Sequence, residues 1–272
     1  MYLLLVCVLC GAFVFSAYSE ESQEQTDENI TTEVTQVDIE KKAIGSWIVA
    51  ERNGQPALTN EKCVITFVSP AKAYMSASFG SRPELGNYWM NMLEAEVGIN
   101  GNKAVITREG VEGTTIVNEL TITNITDTEQ QGNIVVKSID DGKEEILTEE
   151  SICFVKVNDD FSDDVIGTWE GRCTSEGSVF DDGQDHRWEF KDDGTYVYYV
   201  KDGDNWVPAD AAEGDYFVAG NLLCGRWFED ERENREWWEI TIDGDKMNWT
   251  ALREGEDGET FTASFEMQKV PE

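Results

Sequence analysis

Positive charge is scarce in this sequence. Its 272 residues carry 21 Lys and Arg against 55 Asp and Glu, a formal net charge of −34. So few cations cannot neutralise a phosphate backbone, which excludes nucleic-acid binding, and they offer little to an anionic membrane surface. Histidine is reduced to His186 alone. His-rich metal sites are therefore excluded, and Ser-His-Asp or Cys-His catalysis would have to run through that one ring. There is no Gly-x-Ser-x-Gly elbow and no phosphate-cradling Gly-rich loop. Nothing in the chain implies a cofactor. Beyond residue 19 no apolar run approaches the roughly 20 residues that span a bilayer. Disorder is excluded as well, because the chain is 40% hydrophobic and holds nine Trp.

What is present starts with an apolar N-terminus. Residues 1–19, MYLLLVCVLCGAFVFSAYS, end in small residues ahead of a polar stretch and read as a signal peptide. The mature chain is then exported, with no transmembrane span, to the periplasm, cell surface or exterior. Val8-Leu9-Cys10-Gly11 is a poor match to a lipoprotein cleavage site, so a lipid anchor is not expected. Residues 20–40 hold eight acids, no base and no aromatic residue. They read as an acidic flexible tether, too polar to offset their chain entropy by burial. Export leaves Cys63, Cys153, Cys173 and Cys224. These four permit disulfides in any of three pairings, or buried thiols.

The rest of the chain repeats itself. Ala43-Ile44-Gly45-Ser46-Trp47 matches Val165-Ile166-Gly167-Thr168-Trp169, and residues 151–157 align without a gap to residues 264–270. Matching starts and ends, in order, predict two domains over 41–157 and 165–272, folding independently across the acidic linker 158–164. The copies have diverged: seven of the nine Trp lie in the second.

Alternation dominates both halves. Trp188-Glu189-Phe190, an Asp193-Gly194 turn and Thr195–Val200 predict a hairpin with Phe190 opposite Tyr196 and Trp188 beside Tyr198. Trp238, Ile240 and Ile242 share one face of a later strand, and Met247, Trp249 and Ala251 share one of the next. In the first half, strands are expected near 63–68, 104–108, 115–124, 133–138 and 146–157, with a short helical turn possible only within 85–97. This is an all-β pattern, a sandwich or a barrel. An immunoglobulin-like sandwich would carry its core Trp mid-domain between paired cysteines; here the repeated Trp opens each half.

That Gly-x-Trp opening, with a basic residue in the last strand, resembles the lipocalin-like family, in particular the small tandem lipocalin-like proteins exported by Bacteroidetes. The resemblance implies two tandem small antiparallel up-and-down β-barrels. It also implies that the first-strand Trp of each closes one barrel end under a basic side chain: Trp47 with Lys156, and Trp169 with Lys269. Halves this short, without a long C-terminal helix, leave open that side chains fill the barrels.

Trp188, Tyr196, Tyr198, Trp238 and Trp249 are expected to point into the second barrel. They are either its core or the wall of a cavity for a small apolar or amphipathic molecule, as the resemblance implies. Trp206, Trp227 and Trp237 are harder to place inside and read as a stacking surface for a glycan or a protein partner. The Asp181–Asp185 and Asp202–Asn205 runs offer oxygen ligands, but neither fits an EF-hand frame, and Asp-Gly is ordinary turn chemistry, so no metal site is assigned. His186 is expected on the surface or at a cavity edge. No pair among the many carboxylates is singled out for hydrolysis. The overall reading is a non-enzymatic binding protein, with an interaction module and a carboxylate hydrolase as the alternatives.

Overall fold

The computed structural model describes residues 34–79, 89–110, 113–175, 183–255 and 257–271. The expected signal peptide and most of the expected tether lie outside these residues. Residues 34–271 belong to one compact unit.

The described chain begins with helix α1 (Gln36–Lys42), which occupies the last residues read as tether. The Thr35 hydroxyl accepts from the Asp38 amide and the Asp38 carboxylate accepts from the Thr35 amide, a reciprocal cap. The helix buries Ile39 in the first barrel's core.

Eight strands close that barrel: β1 (Gly45–Arg52), β3 (Cys63–Ser69), β4 (Lys72–Ser78), β5 (Trp89–Asn100), β6 (Lys103–Glu109), β7 (Thr115–Ile125), β8 (Glu129–Asp140) and β9 (Lys143–Val157). A two-residue strand, β2 (Gln55–Pro56), only extends β1. Each strand pairs with the next, and β9 returns to β1. The second barrel runs through β10 (Gly167–Cys173), β11 (Asp185–Phe190), β12 (Thr195–Asp202), β13 (Asn205–Ala219), β14 (Leu222–Glu229), β15 (Arg232–Asp243), β16 (Lys246–Glu254) and β17 (Thr260–Lys269). Both are antiparallel up-and-down barrels with eight strands. Closure leaves no free sheet edge. The helical turn considered for 85–97 is not found in its described part: Trp89 to Val97 belong to β5.

The period-two pattern is what builds these sheets. In β7, Ile116, Asn118, Leu120 and Ile122 turn inward between less buried neighbours. In β16, Met247, Trp249 and Ala251 do the same.

The two barrels pack against each other across the linker. Ile48 and Val64 on the outside of the first barrel pack with Phe217, Leu222 and Cys224 on the outside of the second. Trp89 meets Phe217 edge-on at 4.7 Å. Lys62 pairs with Glu239 at 2.7 Å, and the Leu252 amide donates to the Thr59 hydroxyl at 2.9 Å. An outward apolar stripe on one barrel must be covered, and the other barrel covers it.

Candidate binding cavity of the second barrel

The same Trp–Lys contact recurs in each barrel. Trp169 and Lys269 sit directly opposite on β10 and β17, and Trp47 and Lys156 on β1 and β9. Cross-strand partners project to one face. Lys269 Nζ therefore lies 5.1 Å from the Trp169 ring and Lys156 Nζ 5.3 Å from the Trp47 ring, within cation–π reach. Each indole N–H donates to the carbonyl four residues back, Trp169 to Val165 at 2.8 Å and Trp47 to Ala43 at 2.6 Å. The glycine two residues before each Trp has φ near +127° (Gly167) and +116° (Gly45). A Cβ there would stand 2.8 Å from Lys269 Cε or 3.1 Å from Lys156 Cε. Glycine is thus required twice over, for the left-handed backbone and for the lysine stem crossing it.

The second barrel holds a cavity of about 220 Å³. Trp188, Tyr196, Tyr198, Trp238 and Trp249 all line it, joined by Phe190, Leu223 and Trp227. Local chemistry fixes the register. The Asp193 carboxylate accepts from the Thr195 amide and hydroxyl, at 3.0 and 2.6 Å. This shapes the turn so that Trp188 faces Tyr198 and Phe190 faces Tyr196. Trp188 then stacks on Tyr198 at 4.9 Å and meets Trp249 at 4.8 Å, while Trp249 meets Trp238 at 5.5 Å. Tyr196 lies over Gly214, where a Cβ would come within 2.5 Å of its ring.

His186 is not at the surface. It is buried in the barrel, where its Nδ1 and the Tyr198 hydroxyl share a hydrogen bond of 2.7 Å. Its side chain follows the inward face already occupied by Trp188 and Phe190.

At the rim the β12–β13 ladder bulges. The step Val197–Tyr199 on β12 faces the longer step Pro208–Glu213 on β13, and Ala211 takes φ +52°. A bulge of this kind re-aims the chain beside a site. Here it brings exposed Asp210 and Ala211 to the cavity mouth.

Glu236 also lines the cavity. Arg253 Nη2 donates to Glu236 Oε2 at 2.5 Å, and the Arg253 guanidinium lies 4.5 Å from the Trp238 ring. Burial pushes the Glu236 carboxyl above the ordinary range, and Arg253 opposes the shift without cancelling it. Burial also raises the Tyr196 phenol, as do the nearby Glu236 and Asp215 charges. Sequence reasoning passed over Glu236 and Arg253 and read Trp227 as outward, although period two was the available signal: 236 continues the face of 238 and 240, 253 that of 249 and 251, and 227 that of 223 and 225.

The three outlying Trp residues do not form one surface. Trp206 packs under Arg187 at 4.6 Å and Lys201 at 5.1 Å. Trp227 stands at the cavity, and Trp237 donates to the Ser78 carbonyl across the barrel–barrel interface. The first barrel is nearly filled. Its residual cavity of about 50 Å³ is lined by polar as well as apolar groups, including Arg52, Arg108, Asn118 and Glu150, with Arg52 and Glu150 paired.

The four core cysteines are free and buried, so none of the disulfide pairings is formed. Desolvation raises the Cys63 thiol to about 11 and the Cys224 thiol further still. Of the acidic runs, Asp185 is bound by Arg172 at 2.8 Å and Lys201 at 3.0 Å, which lower its carboxyl; Asp181 and Asp182 lie outside the described residues. Among the described residues no group of three or more His, Cys, Asp or Glu is placed to hold a metal ion, and no helix is long and apolar enough to cross a membrane.

Residues 165–249 match the model of the lipocalin-like domain family. The second barrel is lipocalin-like. A second closed eight-stranded barrel with the same Trp–Lys contact stands ahead of it, so the chain carries two such barrels in tandem. No curated protein matches the sequence. Among solved structures, a protein of unknown function from the DUF3598 family of Nostoc punctiforme aligns at 9% identity, covering 87% of this chain and 99% of its own, with a TM-score of 0.25. A double mutant of transferrin binding protein B, a vaccine antigen of Haemophilus parasuis, aligns at 10% identity over 77% of this chain and 54% of its own, TM-score 0.24. A single mutant of the same antigen aligns at 8% identity over 78% of this chain and 61% of its own, TM-score 0.24. The lipocalin-like chain thus spans less than two thirds of that antigen's length.

Proposed function

We propose that this is a non-enzymatic, exported binding protein whose second barrel captures a small apolar or amphipathic molecule. The observation that carries the reading is the aromatic cavity of about 220 Å³. Concave sites walled by aromatic side chains with a few polar groups are what such ligands require. The first barrel, with only about 50 Å³ left inside, serves as the second barrel's packing partner. The apolar leader at residues 1–19 supports export, and the acidic stretch after it serves as a spacer.

The test is direct. Native mass spectrometry of purified protein should retain a small ligand, and a neutral naphthyl probe (phenylnaphthylamine) should brighten on binding. Replacing the cavity-lining Gly225 with Leu fills the space and should abolish both signals while near-UV circular dichroism stays native. Binding that survives Gly225→Leu unchanged would rule out the cavity.

A further inference from the structure

We infer that the second-barrel cavity selects a ring-bearing organic ammonium, with the ring held among the indoles and the cation at Glu236 and Asp210. This rests on the cavity being the binding site, and specifies what enters it. The argument begins with the ionisable groups that line the space. Among the described residues, apart from the phenols of Tyr196 and Tyr198, they are Asp210 and Glu236, both acids, with no Lys, Arg or His in the lining. Arg253 is close, but it engages one Glu236 oxygen, Oε2, and lies against Trp238. Glu236 keeps 24% of its side-chain surface accessible, on a residue that lines the cavity.

An anion entering this space would therefore meet two carboxylates and no facing cation. A neutral molecule would gain only apolar contact. An ammonium gains both the carboxylates and the negative faces of the indoles, an attraction that strengthens where water is excluded. The same chemistry already operates on the outside of this barrel, where Arg187 and Lys201 cover Trp206. The chain's net charge of −34 raises the local concentration of cations at the mouth.

Three probes that share a phenylethyl body separate charge from shape: phenethylamine, phenylethanol and phenylpropionate. Isothermal titration at about 0.15 M salt, where exposed charges beyond roughly 8 Å are screened, should rank amine above alcohol above acid, with the amine favoured about tenfold over the alcohol. Because the whole acidic body attracts cations, the local claim is read from variants. Asp210→Asn removes one rim charge of many, yet should shrink the amine-to-alcohol ratio to about threefold or less. Glu236→Gln should act in the same direction. If that variant unfolds because Arg253 loses its partner, Asp210→Asn alone decides. Equal binding of amine and alcohol, or a ratio untouched by Asp210→Asn, overturns the cation inference while the cavity reading stands. Silence from all three probes overturns both.

Discussion

Gly167→Ala is the sharpest test of how the second barrel is sealed. The substitution asks an alanine to hold φ near +127°, a region that costs a side-chain-bearing residue about 1–3 kcal/mol. The new Cβ would also stand 2.8 Å from Lys269 Cε, so the lysine stem must move. Moving it takes Nζ off the Trp169 ring, 5.1 Å away, a contact worth about 0.5–1 kcal/mol at a part-exposed site. The expected cost is about 2–4 kcal/mol in urea unfolding followed by Trp fluorescence. Lys269→Ala alone should cost about 1 kcal/mol. In the Lys269→Ala background, Gly167→Ala should cost less than in wild type by about 0.5–1 kcal/mol, because only the backbone strain remains. A Gly167→Ala cost below about 0.5 kcal/mol would refute the strain argument. An identical cost with and without Lys269 would refute the contact.

Other consequences can be checked separately. Trp237→Ala removes the half-buried indole that donates to the Ser78 carbonyl. It should cost about 2–3 kcal/mol and make the linker 158–164 more sensitive to limited proteolysis; unchanged cleavage would mean that other contacts hold the barrels together. The buried Cys63 and Cys224 thiols, raised by desolvation, should resist a thiol-specific disulfide reagent at pH 8 and react only in denaturant. Rapid native labelling at either would contradict their burial. Glu236 titrates above an ordinary carboxyl, paired with Arg253 of β16 and sharing the cavity lining with Tyr196 of β12 and Asp210 of β13. The sign follows: the carboxyl is still protonated where a free Glu, near 4.5, has ionised. Phenethylamine affinity should therefore rise as pH increases from about 4.5, while phenylethanol affinity stays flat. A flat amine profile would remove Glu236 from the cation's surroundings.

Much of this architecture could be read from the chain because strands write their faces in alternate residues. The all-β class and the hairpin register at Phe190–Tyr196 follow from a period of two, whereas the barrel form and the opposition of Trp169 to Lys269 came from the family resemblance of the repeated start and end. The same rule covered Glu236 and Arg253, which were missed because charged residues attract no attention in a search for apolar faces. The surface position left open for His186 fell for a related reason: its neighbours Asp185 and Arg187 are polar, but its own face is that of Trp188. The rim bulge that exposes Asp210 has no comparable signal, since extra residues in a ladder are defined only by the partner strand.

The sequence by itself determined which residues share a strand face and that a Gly-x-Trp start and a matching end are written twice. These are local matters of backbone geometry and side-chain period. Only the tertiary structure decided that the barrels pack as one unit through Trp237 and Phe217, that the first is nearly full while the second keeps an aromatic cavity, and that the charged groups lining it among the described residues are acidic. Free volume and the charge that lines it depend on how eight faces converge, and no single strand carries that information.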